Sequence, residues 1–65
     1  MNDSSVNDLS MLMAWGHLMS DLSFRAIDKE KQKEWAQTIW VLLRGRGESI
    51  NRENVMAQYN ILMEG

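Results

Sequence analysis

The sequence predicts an all-α fold of three short helices, over about residues 5–24, 29–44 and 51–63, and three observations predict it. Apolar residues recur at helical spacing in three separate stretches. There is no proline to interrupt them. No stretch alternates apolar and polar residues between turn pairs, as the strands of a hairpin would.

Residues 1–4 read as a flexible polar tail, and the first helix is expected to start near Ser4 or Ser5 and run to about Phe24. At about 100° per residue, Met11, Leu12, Trp15, Leu18, Met19 and Leu22 fall within one arc of roughly 120°, the expected core stripe. Val6, Leu9, Met13 and Phe24 fall on the opposite side, with His17 beside them. A helix apolar on both sides is normally buried on both sides. Two short helices of the same chain cover one side, so a second chain is expected on the other.

Arg25-Ala26-Ile27-Asp28 interrupts the pattern. Asp28 suits the N-cap of the second helix, and Glu30 then falls in the first turn, where the helix dipole favours an anion. Trp35, Ala36, Ile39, Leu42 and Leu43 form this helix's apolar stripe, with Trp40 and Val41 outside it. Arg44 and Arg46 suit its C-terminal end, and Gly45 or Gly47 can take the left-handed conformation that closes a helix. The third helix opens on Asn51 as cap, with Ile50 before it placed to staple onto Val55 and Glu53 in the first turn. Val55, Met56, Tyr59, Leu62 and Met63 then share one face. The connections are roughly four to six residues, ordinary for a helical domain.

The 65 residues make one domain, 1–65. A chain of this size buries only about 60% of the surface it exposes when unfolded, and small domains usually gain further stability from disulfides, a metal or association. With no cysteine and one histidine, His17, neither disulfides nor a zinc site is expected. Association remains, so the expected form is a homodimeric helical bundle. Hydrophobic residues at 45% and charged residues at 25% are ordinary for a globular protein and argue against disorder. The apolar run Met11–Trp15 is far too short to span a bilayer, and acidic rather than basic residues precede it. A cytoplasmic protein with no membrane partner is expected.

Charge is unevenly spread. Residues 1–24 hold Asp3, Asp8 and Asp21 and no lysine or arginine, giving −3. Residues 25–46 hold six basic and three acidic side chains, giving +3, and Arg52 against Glu48, Glu53 and Glu64 leaves −2 in the remainder. The net charge is −2, which weakens general attraction to phosphate backbones.

Catalysis needs a nucleophile, a base and an orienting group converging in a pocket. His17 is the only imidazole and no triad or ligand spacing surrounds it, so neither an enzyme nor a cofactor is expected. Asp28, Glu30 and Glu34 alternate with Lys29, Lys31 and Lys33 in the manner of a solvated helix face. Nucleic-acid binding is the alternative. A helix, a glycine-containing turn and a second helix opening with Asn51, Arg52 and Asn54 follow the order of a helix-turn-helix, with Arg44 and Arg46 placed to hold phosphates. Against it stand a connection longer than usual, three glutamates around the reading face and a pI of about 5.2. Six methionines and three tryptophans are a heavy load for so short a chain. Met11, Trp15, Met19, Trp35 and Met63 read as core, whereas Leu9, Met13 and His17 on the first helix and Trp40 and Val41 on the second read as partner or dimer surface.

The stretch Gly47-Glu48-Ser49-Ile50-Asn51-Arg52-Glu53-Asn54-Val55, followed by Leu62, resembles a segment of the small enterobacterial biofilm and acid-resistance regulators, the YmgB/AriR family of two-component connector proteins. The resemblance covers the C-terminal half and implies an all-helical, dimeric, regulatory protein. The chain departs from that pattern in its three tryptophans and in lacking a long further C-terminal helix, so the family's dimer contact is not carried over. The reading is a small bacterial or phage regulator or inhibitor that binds a larger protein, with a helix-turn-helix DNA-binding protein as the alternative.

Overall fold

A computed structural model describes residues 3–65, with side chains described from Leu9 onward. Among these residues the chain is helical without strands: α1 spans Asp3–Leu18, α2 Leu22–Arg25, α3 Lys29–Gly45 and α4 Arg52–Glu64. The three long helices are those the sequence predicts. The first ends earlier than expected, at Leu18 rather than near Phe24, and α2 is a separate single turn. Its beginning also differs, since the backbone is helical from Asp3, while the rest of the expected tail, residues 1 and 2, lies outside the described residues.

The cause of the early end lies in residues 20–23. Ser20 turns its hydroxyl back onto the His17 carbonyl at 2.7 Å. Asp21 then takes an extended conformation and caps α2, its carboxylate accepting from the Ser23 and Phe24 amides. The Ser23 hydroxyl donates to the same oxygen at 2.5 Å, and Arg25 Nε donates to the Met19 carbonyl at 2.5 Å. These bonds hold the Asp21 carboxyl below its ordinary pKa, the Ser23 hydroxyl contributing most, then the Phe24 amide.

The break resets the helical phase. Phe24, expected opposite the core, is fully buried, and Leu22, expected within it, is exposed. Leu12 and Met19 likewise sit on the exposed side, and Ala14 takes the core position beside Leu18. From α3 come Ala36, Ile39 and Leu43, and from α4 Val55 and Tyr59. Tyr59 is the hub. Phe24 meets its ring edge-on at 5.7 Å and Trp35 at 5.3 Å, geometries that aromatic quadrupoles favour. Met56 and Leu62 are half-buried against this cluster, and Met63, expected on the same face, is exposed at the last turn.

The helix ends follow local chemistry. Asn51 caps α4 by accepting from the Asn54 amide at 2.8 Å, and Ile50 and Val55 both join the core. Asp28 occupies the N-cap of α3 but makes no side-chain capping bond. Gly47 is the left-handed residue, at φ 72°. Its amide bonds to the Arg44 carbonyl and that of Glu48 to the Leu43 carbonyl, closing α3 as a Schellman turn.

Two buried polar side chains tie the elements together. Gln32 Nε2 donates to the Ile27 carbonyl at 2.9 Å and the Phe24 carbonyl at 3.2 Å, while its Oε1 accepts from Trp15 Nε1 at 3.3 Å. One amide therefore joins α1, the end of α2 and the start of α3, and this fixes which face of α1 turns inward. Gln58 on α4 accepts from the Arg46 guanidinium.

Candidate partner-binding surface

Viewed down α1, the buried side carries Ala14 and Leu18, with Met11 and Trp15 half-buried at its edge. Leu9, Leu12 and Met13 point the other way and keep 62%, 52% and 53% of their surface exposed. With Gly16 they recur at i, i+3, i+4 and i+7, within about 100° of arc, so they form one continuous stripe. A Cβ added at Gly16 would meet nothing within 4 Å, which leaves the backbone open at the C-terminal end of the stripe. His17 is half-buried on its flank. Beside the stripe, a groove of about 600 Å³ is lined by Met11, Leu12 and Trp15 from α1 and by Lys29, Glu30 and Lys33 from α3.

The five residues expected as contact surface form two groups. Leu9, Met13 and His17 share the outer side of α1. Trp40 and Val41 lie on α3, where Val41 is exposed in a groove with Gln37, Thr38 and Leu42. The groove beside the α1 stripe is lined by neither Trp40 nor Val41, and the groove that holds Val41 has no α1 residue. Trp40 is half-buried against the core, with the Arg44 guanidinium 5.3 Å from its ring centroid. Its indole Nε1 is buried without a hydrogen-bond partner among the described residues.

Of the four residues of the nucleic-acid alternative, three make side-chain contacts within the chain, although Arg44 and Arg46 remain exposed. Arg44 covers Trp40, and Arg46 bonds Gln58 and pairs with Glu48 at 3.5 Å. Asn54 donates its side-chain amide to the Ser49 carbonyl at 2.9 Å, bracing the loop before α4. Arg52 is exposed. Among the described residues no group of three or more histidine, cysteine or acidic side chains is placed to hold a metal ion, and no helix is long and apolar enough to cross a membrane.

Leu12 is the residue of this stripe that sequence reasoning assigned to the core. A wheel drawn through an unbroken helix to Phe24 centres the apolar arc between residues 11 and 22, whereas a helix ending at Leu18 centres it on Ala14, Met11 and Leu18. Gln32 carries no periodic signal, because a buried polar residue and a solvated one look alike in a lysine-rich run. The chain matches no family model, no curated protein and no solved structure.

Proposed function

We propose that this chain is a non-enzymatic regulatory or inhibitory protein that acts by docking onto a larger protein through exposed apolar helical surface. The observation that carries the reading is the outer stripe of α1, where Leu9, Leu12 and Met13 stand in solvent on the side opposite a well-packed core. Large apolar side chains grouped on one exposed face are a mark of interaction sites. Val41 on α3 and Ile61 and Met63 on α4 supply further exposed apolar surface. Asn54 is tied to the Ser49 carbonyl and Arg46 to Gln58 and Glu48, and these contacts within the chain favour a protein partner over DNA, as does the acidic pI of about 5.2. A regulatory role also agrees with the resemblance of the C-terminal half to the biofilm and acid-resistance connector regulators.

Chemical cross-linking in cell extract tests this with Met13→Glu, Val41→Glu and Arg52→Ala variants. The expected result is a discrete cross-linked protein that survives high salt, is lost with Met13→Glu or Val41→Glu, and is retained with Arg52→Ala. Retained nucleic acid that disappears with Arg52→Ala and with rising salt would replace this reading by the DNA-binding alternative.

A further inference from the structure

We infer that the outer stripe of α1 is covered by α1 of a second copy, packed antiparallel about a two-fold axis between Leu12 and Met13. This rests on the reading of that face as a binding surface and names its occupant. The shape of the stripe favours it. In a two-fold antiparallel pair, residue i of one helix stands level with residue 25 − i of the other when the axis passes between 12 and 13. Leu12 then meets Met13 of the second copy, and Leu9 stands over Gly16, where open space surrounds the backbone. The most exposed side chain of the stripe is thus set against its glycine gap, twice. Gly16 also lets the two backbones approach closely enough for the apolar side chains to touch.

Charge favours the same occupant. The groove flanking the stripe carries Lys29 and Lys33 against Glu30 alone. Lys31, between them in sequence, is paired with Glu34 at 3.8 Å, whereas neither Lys29 nor Lys33 makes a salt bridge among the described residues. Such a groove fits an apolar helix of acidic character. α1 has an apolar stripe and no lysine or arginine, and in this register Asp8 of the second copy stands level with residue 17, about 3 Å along the axis from the Trp15 end of the groove. A second copy supplies what the groove selects, and electrostatic complementarity of this kind fixes register as well as partner. The isologous geometry repeats both contacts. The stripe rests on three large side chains, Leu9, Leu12 and Met13, so the dimer is expected to be small and to dissociate on dilution. It leaves the Val41 side of α3 free for another protein.

Because the native chain has no cysteine, introduced thiols are unique. Leu9→Cys and Gly16→Cys chains, mixed and treated with a short bis-maleimide, are expected to give predominantly the mixed 9–16 product. Two thiols at position 9 in this register are offset by seven residues, about 10 Å along the axis, and link poorly. Lys29→Glu/Lys33→Glu, on exposed positions, is expected to weaken association about tenfold at low salt and less at high salt. Predominant 9–9 product would mean a parallel pair and would overturn the register. A folded monomer with no cross-link at any concentration would overturn the second copy as occupant while leaving the stripe open to a different protein, so the two proposals fail separately.

Discussion

The two sides of α1 are both rich in large apolar side chains, yet one is sealed in the core and the other is exposed. On the inner side Ala14 and Leu18 lose all accessible surface, and Trp15 is pinned by its indole to Gln32. On the outer side Leu9, Leu12 and Met13 have no part in the core cluster. Hydrophobicity alone does not choose between these sides. A directional polar contact at Trp15 and the chain reversal at Asp21 do, because both fix the rotation of α1 about its own axis. A few satisfied polar groups thus decide which of two comparable apolar faces becomes core, and the remaining face is then available for binding.

That contrast can be broken most severely from the inside. Leu18→Ala removes a fully buried side chain and is expected to cost about 2–5 kcal/mol, enough to threaten a domain of marginal stability. Leu12→Ala on the same helix, measured by urea denaturation in dilute protein, is expected to cost little. Equal losses at the two positions would abolish the distinction between the sides. Gln32→Leu strips a partner from the Trp15 indole and from the Ile27 carbonyl, while the Phe24 carbonyl keeps the Ile27 amide, and should cost about 1–3 kcal/mol for each group left buried and unpaired, short of full additivity. Its finer signature is a changed tryptophan fluorescence, because α1 loses the contact that sets its rotation. Asn51→Ala removes the α4 cap and should cost about 1 kcal/mol by the same unfolding assay.

The smallest effect comes from pH. Asp21 is held below its ordinary pKa by the Ser23 hydroxyl first and then by backbone amides. A carboxyl with a lowered folded-state pKa contributes stability above its unfolded value, near 4, and loses it as pH falls through the folded value. The thermal midpoint should therefore drop modestly below about pH 4, and Asp21→Asn, which keeps the cap without the titration, should flatten that part of the profile.

Much of this organisation is legible in the sequence. The extents of α3 and α4 follow from the spacing of Ile39 and Leu43 and of Val55 and Tyr59, and the ends of these helices follow from Gly47 and Asn51. The exposure of Leu9, Met13 and Val41 also follows from their place off the main stripes. The break after Leu18 does not follow. Asp21 reads equally well as a polar residue separating two faces and as a cap three residues before Phe24, and periodicity cannot tell these apart. Positions counted past that point on a single wheel are rotated, which sends Phe24 outward and Leu22 inward and centres the arc too far toward Leu12 and Met19, which lie at its edge. Trp40 departs from expectation in degree, for a different reason. An indole edge can pack on a core while the residue lies outside the helix's apolar stripe, as its place under Arg44 demonstrates.

The most direct test of the outer face of α1 as the contact between two copies is the mass in solution by light scattering across a dilution series, for the native chain and for Leu9→Glu/Met13→Glu. The native protein is predicted to show twice the chain mass of 7.6 kDa at high concentration, falling toward one chain on dilution. The variant should remain a single chain throughout with its helical circular dichroism unchanged. A native protein and a variant with the same mass at every concentration would contradict the assignment.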